Sequence, residues 1–244
     1  MKAVILAGGL GSRLNPLTKV TNKHLLPIFD KPMIYYPLQT LKDAGFTEVM
    51  VVVGGPFAGH FISVLKNGED FGFKNIRYAY QEGEGGIAEA LALAEDFADG
   101  EKIFVMLGDN IIDTNLTKIF DEVEKNDKED VARIFLKATT TPEKFGVAVF
   151  NDLQQVVGIV EKPIEPYPSS MAVIGLYIFP YNVFGKIKSL DYSARGELEV
   201  TDLNNLYIKE GKMSVVRLDS TDFWSDCGSF ETMNHCSNHM IKIK

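Results

Sequence analysis

Read for its apolar and polar positions, the chain opens on a compact apolar run, Lys2 to Ala7, that stops at Gly8-Gly9. That is the pattern of a buried strand running into a loop. Pro32 stands where a helix can begin, with Ile34, Leu38 and Leu41 on one face and Gly45 just past its end. Glu48 to Val53 and Ile76 to Tyr80 read as further strands. A turn rich in Gly and Glu follows, then a helix in which Ile87, Leu91 and Ala94 recur at i, i+4 and i+7. Lys102 to Leu107 is a strand ending on Gly108-Asp109-Asn110, and Leu116, Ile119, Phe120 and Val123 mark one more amphipathic helix. Strands alternating with helices in this way predict a parallel sheet with helices on its faces.

Beyond about residue 130 the texture becomes strand-rich. Val131 to Ala138, Val147 to Phe150, Val156 to Val160 and Val173 to Phe179 are joined by Pro and Gly turns, and they predict β-ribbons laid on the first sheet. Thr201 to Lys209 returns to helix, with Leu203, Leu206 and Tyr207 on one face and Gly211 as a stop. No repeat, low-complexity tract or Pro/Ser-rich linker interrupts the chain. The expected fold class is α/β: a Rossmann-like, mostly parallel central sheet with helices on both faces, plus β-ribbon insertions.

Composition narrows the functional classes. With 244 residues, 45% of them hydrophobic, there is ample chain for one enzyme-sized domain spanning 1–244. The formal charge of -8 excludes a protein whose main business is coating nucleic acid or anionic lipid, so any polyanionic ligand must be met by cations gathered locally. Longer stretches without Asp, Glu, Lys or Arg, Val49 to Leu65 and Tyr167 to Gly185, are broken by Pro, Gly and polar residues and do not read as membrane spans. Two cysteines, Cys227 and Cys236, are too few for a disulfide framework, and no secretory signal is readable, so a cytoplasmic location is expected.

The first candidate site is the loop Gly8-Gly9-Leu10-Gly11-Ser12-Arg13-Leu14. Glycines directly after a strand let backbone N–H groups approach phosphate oxygens. A dinucleotide-binding loop would have glycine where Leu14 stands and would open at once into a helix, which Asn15-Pro16 disfavours. A Walker A loop would have Gly-Lys-Ser/Thr where this chain has Gly11-Ser12-Arg13. Arg13 and Lys23 nevertheless put two cations on one long loop of an acidic chain, and such a loop can hold a triphosphate by amides and guanidinium together.

From Asn22 to Leu38 the sequence NKHLLPIFDKPMIYYPL follows that Gly-Gly-x-Gly-Ser-Arg loop. Further on come Gln81 with Gly85-Gly86-Ile87-Ala88-Glu89-Ala90, Leu107-Gly108-Asp109-Asn110, Phe145-Gly146-Val147, Glu161-Lys162-Pro163, Gly175-Leu176-Tyr177, the run from Ser193 to Asp202, and Trp224-Ser225-Asp226-Cys227-Gly228. Together, in this order and over nearly the whole chain, they resemble the sugar-1-phosphate nucleotidylyltransferases, and within them the branch that uses dTTP and glucose-1-phosphate.

The resemblance implies attack of a sugar-1-phosphate oxygen on the α-phosphorus of a nucleoside triphosphate, expelling pyrophosphate, in a nucleotide-binding part at about 1–130 and a sugar-binding, metal-completing part at about 131–244. It implies Mg²⁺ held by Asp109 and Asp226, with Arg13 and Lys23 on the phosphates as the remaining catalytic residues. Gly8, Gly9, Gly11, Ser12, Gln81 and Gly86 would bind the nucleotide, Gln81 and the backbone at Gly86 reading the pyrimidine edge. Asn110, Gly146, Glu161, Lys162, Ile174 and Arg195 would bind the sugar phosphate, Gly146 and Ile174 through backbone. It further implies a homo-oligomer, a first step toward dTDP-rhamnose or a related deoxysugar, and a short form without the C-terminal regulatory segment, hence weak feedback through that route.

This sequence departs from the family at Phe145, commonly Tyr, and at Cys227 and Ser12, commonly Thr; hydroxyls are lost or exchanged at the edge of the site. A uridylyltransferase using UTP, a nicotinamide dehydrogenase and a non-catalytic nucleotide-sugar-binding subunit are the alternatives. Retention of Arg13, Lys23, Asp109, Asp226 and Lys162 favours an active enzyme over the last of these.

Overall fold

The computed structural model describes residues 1–125 and 130–244. In chain order the strands and helices begin with β1 (Lys2–Ala7), β2 (Pro27–Ile28), β3 (Lys31–Pro32), α1 (Tyr35–Asp43), β4 (Glu48–Gly54), α2 (Ala58–Leu65) and β5 (Asn75–Gln81). They continue with α3 (Ile87–Ala92), α4 (Glu95–Ala98), β6 (Ile103–Leu107), β7 (Asn110–Asp113) and α5 (Leu116–Lys125). The second half holds β8 (Ala132–Ala138), β9 (Gly146–Phe150), β10 (Val156–Glu161), β11 (Met171–Phe179), α6 (Val183–Ile187), α7 (Val200–Lys209), β12 (Met213–Arg217), β13 (Phe223–Asp226) and α8 (Phe230–Ile243).

Among the described residues one nine-stranded sheet runs β10-β9-β11-β6-β1-β4-β5, with β8 paired to β11 and β12 paired to β8. β6, β1, β4 and β5 are parallel, as the alternation of strands and helices predicts. Strand periodicity then decides the two layers, because successive residues point to opposite faces. Val4 and Leu6 of β1 join Val52 and Val105 beneath α3, α4, α6 and α7, packing with Leu91, Phe97 and Tyr207. Ala3, Ile5 and Ala7 face the other way, against Leu38 and Leu41 of α1, Phe61 of α2 and Phe120 of α5. Among the described residues no helix is long and apolar enough to cross a membrane.

The structure alters three expectations. The ribbons of the second half are not laid on the first sheet but hydrogen-bonded into it: β11 runs antiparallel to β6, so strands from either side of residue 130 share one surface. Nor does a helix begin at Pro32. Pro27–Ile28 and Lys31–Pro32 pair as a tiny hairpin turned through Phe29 at φ 56°, and α1 starts only at Tyr35, with Pro37 in its first turn where a backbone N–H has no helical partner to lose. The helix read around Ile87–Ala94 is also broken, α3 giving way to α4 around Ala94.

Beside the main sheet, β7 pairs antiparallel with β13, placing Asp226 opposite Asn110 and Trp224 opposite Ile112. A third core of Ile28, Met33, Tyr36, Ile111, Cys227, Cys236 and Met240 packs α8 against this ribbon and the small hairpin. Ser229 caps α8 through a reciprocal box with Thr232, satisfying donors that the helix start leaves unpaired.

Candidate active site

Open parallel sheets bind ligands at the carboxyl ends of their strands, and here the ends of β1, β4, β5 and β6 converge. The approach is close enough to require glycine: a Cβ at Gly54 would lie 3.0 Å from the Gly8 carbonyl oxygen, and one at Gly8 would lie 2.6 Å from Gln81 Oε1. Gly11, at φ +69°, turns the loop back over Lys23, whose own Cβ is 2.7 Å from where a Gly11 side chain would begin. The backbone from Gly8 to Gly11 therefore lies against Lys23 and faces the cavity floor.

Two cavities meet at this point. The smaller, about 260 Å³, is walled by Gly8, Gly9, Gln81, Gly86, Ile87 and His24, with Lys23, Asp109 and Glu197 at its mouth. Gln81 is buried and donates from Nε2 to the Gly86 carbonyl at 3.1 Å. Gly86, at φ +97°, has no room for a side chain because the Leu198 carbonyl would stand 2.6 Å from it, and the Leu198 N–H donates to the Gly85 carbonyl. The larger cavity, about 640 Å³, is lined by Ser12, Arg13, Lys23, Asp109, Asn110, Gly146, Glu161, Lys162, Arg195 and Asp226. Lys144, Phe145, Tyr177, Glu197, Glu199, Thr201, Asn204 and Trp224 complete it. Five cations and five carboxylates line it, so a phosphate entering the cleft must exchange with carboxylates for Lys23, Lys162 and Arg195.

Lys23 and Asp109 stand where the cavities join. Lys23 Nζ donates to Asp109 Oδ2 at 2.5 Å, and Asn110 Nδ2 donates to Oδ1 at 2.9 Å. Burial opposes ionisation of Asp109, but the Lys23 ammonium and these hydrogen bonds outweigh it and hold the carboxyl well below the usual range. Asp226 is the opposite case: burial and the charge of Asp109 push its carboxyl up, with Arg13 and Lys23 only partly offsetting them. The Asp109 carbonyl also accepts from the Cys227 N–H at 2.7 Å, so the β7–β13 ribbon ties the two acids together by main chain. Two half-buried oxygen-donor acids that repel each other fit a hard divalent cation, whose charge would relieve the repulsion. Among the described residues no group of three or more His, Cys, Asp or Glu side chains is arranged to hold a metal ion, so substrate oxygens and water would have to complete such a shell.

Arg13 reaches the same place from the loop, its Nη2 lying 2.7 Å from where a Gly228 side chain would begin. In the cleft Glu161 accepts from Thr201 Oγ1 at 2.6 Å and lies 3.8 Å from Lys162 Nζ. Arg195 is bonded through Nε and Nη2 to Glu199, with Glu161 and Glu197 within 3.6 Å.

Two of the expected sugar-phosphate residues offer the cleft no free side chain, which for Ile174 agrees with the backbone contact expected of it. The Ile174 side chain is buried in the core on the α1 face, and its neighbours Val173 and Gly175 line the cavity instead. Strand alternation makes this unavoidable, leaving Ile174 only its backbone. Asn110 lines the cleft, but its Oδ1 accepts from Gly175 N and Trp224 Nε1 and its amide is given to Asp109, so its present task is to position Asp109.

Lys144 and Asn204 line the cleft from outside the quoted motifs, and Trp224 and Thr201 lie within motifs that assign them no role. Thr201 and Asn204 carry the helical spacing that could have marked them as one face. Cys227 and Cys236 are free and buried in the third core, in keeping with a packing role.

The nucleotidyl transferase family model matches residues 2–242. The chain belongs to the nucleotidyl transferase family. It is 38% identical to the glucose-1-phosphate thymidylyltransferase of Neisseria meningitidis serogroup A over all of this chain and 84% of that protein. It is 35% identical to the low-salt glycan biosynthesis nucleotidyltransferase of Haloferax volcanii, over all of this chain and 67% of that one. A solved structure of a Bacillus anthracis protein described as a glucose-1-phosphate thymidylyltransferase superposes with a TM-score of 0.92 at 42% identity, covering 100% of this chain and 96% of that one. A UDP-glucose pyrophosphorylase bound to UDP-glucose shares the fold at a TM-score of 0.84 and 23% identity. The nucleotidyl transferase family works on phosphoryl groups, and this chain is an enzyme of that kind.

Proposed function

We propose that this nucleotidyl transferase moves the deoxythymidylyl group of dTTP to glucose-1-phosphate, releasing pyrophosphate and forming dTDP-glucose. The observation that carries the reading is the meeting of two cavities of unlike chemistry at Lys23 and Asp109: a small one floored by glycine backbone and the Gln81 amide, and a larger one ringed by paired charges. The first suits a pyrimidine, since a side-chain amide offers both a donor and an acceptor to the base edge. The second suits a phosphorylated hexose. Relatives at 35–38% identity that are named glucose-1-phosphate thymidylyltransferases support the choice of substrates.

The chemistry then follows from charge. The attacking oxygen of a sugar phosphate is already anionic, so no protein base has to remove a proton. What the site must do is hold two polyanions in line, and positioning can supply up to about 7–11 kcal/mol of barrier lowering. In this reading the loop amides from Gly8 to Ser12 and the Arg13 guanidinium hold the triphosphate, and Lys23 leaves Asp109 for the α-phosphate. Lys162 and Arg195 hold the sugar phosphate, with Glu161 and the backbone at Gly146 meeting hydroxyls. Asp109 and Asp226 would hold Mg²⁺, which when bound neutralises phosphate charge at the reacting centre. The same reading makes the enzyme a cytoplasmic homo-oligomer.

A matrix of dTTP, UTP, CTP, ATP and GTP against the 1-phosphates of glucose, galactose, mannose and N-acetylglucosamine, followed by pyrophosphate release with Mg²⁺, tests it. The dTTP and glucose-1-phosphate pair is expected to react fastest. UTP should follow, since one methyl group is worth only about 1–3 kcal/mol of discrimination. A purine triphosphate reacting fastest would overturn the assignment of the small cavity.

A further inference from the structure

Two asparagines stand side by side in α7 and are used in opposite ways. Asn205 is fully engaged with the backbone of β10: its Oδ1 accepts from Ile159 N at 2.9 Å and its Nδ2 donates to the Ile159 carbonyl at 3.0 Å. Asn204 is only 1% exposed, lines the larger cavity, and its Oδ1 has no hydrogen-bond partner. Buried carbonyl groups are almost always bonded, so one left unmade in a cavity wall is a site for something that arrives later. Helix geometry says what it faces. Asn204 is three residues after Thr201 and shares its face of α7, while Asn205 is turned toward β10. Thr201 Oγ1 is bonded to Glu161, and a Gly146 side chain would lie 3.1 Å from Thr201 Oγ1. That places the unbonded amide beside the part of the cleft assigned to sugar hydroxyls.

From this we infer that Asn204 is a hexose-binding residue, its side-chain amide taking a hydrogen bond with one hydroxyl of the sugar phosphate. The inference rests on the functional reading above and extends it to a residue of α7. A neutral, polar group at this position selects for a hydroxyl and against a deoxy centre, which leaves the carbonyl unbonded.

The test compares wild-type protein with Asn204→Leu and Asn204→Ala, using glucose-1-phosphate and its 2-, 3-, 4- and 6-deoxy analogues. For glucose-1-phosphate both variants should raise KM about tenfold, with KM for dTTP unchanged. For one deoxy analogue, wild type and variants should have the same KM, because the partner hydroxyl is already missing. Thermal unfolding gives the second readout. Removing a buried amide that bonds nothing should leave the Asn204→Leu midpoint equal to wild type or above it, whereas Asn205→Leu should lower it. An equal penalty on all four deoxy analogues, or an Asn204→Leu protein that melts well below wild type or fails to fold, would overturn the inference and assign the amide to folding. A wild-type protein that does not join dTTP to glucose-1-phosphate at all would overturn the functional reading itself and this inference with it.

Discussion

The two cavities are built from different materials. The side proposed for the nucleotide is made of backbone: Gly8, Gly11, Gly54 and Gly86 are each pressed by a neighbour that leaves no space for a side chain, and Gln81 is held by the Gly86 carbonyl. The hexose side is made of side chains, with Arg195, Lys162, Glu161, Glu197, Glu199 and Thr201 bonded or paired to one another. A backbone wall is preorganised and tolerates no added atom. A wall of charged side chains must trade partners when its ligand arrives, so it tolerates substitution better and carries more of the specificity.

The largest effect is expected where the two halves join. Asp226→Asn should lower turnover about a thousandfold, on the scale of removing a preorganised electrostatic element from a phosphoryl-transfer site, while leaving the nucleotide cavity intact. Pyrophosphate release alongside dTTP binding by calorimetry would show it. Retained turnover would mean that the ribbon bringing Asp226 opposite Asn110 serves only to fold the chain.

Next comes a pair of substitutions that set backbone against side chain. In Gly8→Ala the new Cβ would stand 2.6 Å from Gln81 Oε1, so the amide must move, and KM for dTTP should rise about thirtyfold with KM for the sugar phosphate unchanged. Arg195→Lys should do the reverse and by less, raising the sugar-phosphate KM about five- to tenfold, because an ammonium cannot reproduce the fork that Arg195 directs at Glu199. Steady-state titration of each substrate separates the two. Equal shifts in both constants for either variant would dissolve the division between the halves.

That division also governs what the sequence reveals. β1 with its glycine loop, and the strand ending at Asp109, are legible because local signals carry them: an apolar run, then residues that only a close backbone approach requires. Arg13 and Lys23 stand out as cations on a loop of an acidic chain. The β7–β13 ribbon is not legible, since Phe223-Trp224-Ser225-Asp226 has no strand period of its own and forms only because a segment more than a hundred residues earlier lies beside it. The same non-local pairing hides the roles of Trp224 and Asn110, and strand alternation across β11 turns the Ile174 side chain away from the cleft. Motif resemblance supplied Glu161, Lys162 and Arg195, whose carboxylate and hydroxyl partners come from other elements; no residue spacing would have grouped them.

The smallest effect concerns the wall of the smaller cavity, where His24 is buried with its ring against Gly108. Asn22 Oδ1 accepts the His24 backbone N–H at 3.0 Å, so it is the carbonyl oxygen, and the ring Nδ1 at 2.7 Å must donate to it. This hydrogen bond fixes the Nδ1–H tautomer of the neutral ring. Burial first, and the Lys23 charge second, lower its pKa from 6.5 to about 3. In the unfolded chain the same ring takes up a proton near pH 6.5, so the unfolded state binds more protons throughout the interval from about 6.5 down to about 3. Stability is therefore complete above that interval and falls as the pH drops into it. Between pH 6.5 and 5.5 the loss from this group should be about 1 kcal/mol. Urea unfolding of wild type and His24→Gln at the two pH values isolates it, because the carboxylates common to both proteins cancel in the difference. If the two proteins lose stability equally, the ring is protonated in the folded state, and a neutral His24 in the wall of the smaller cavity is wrong.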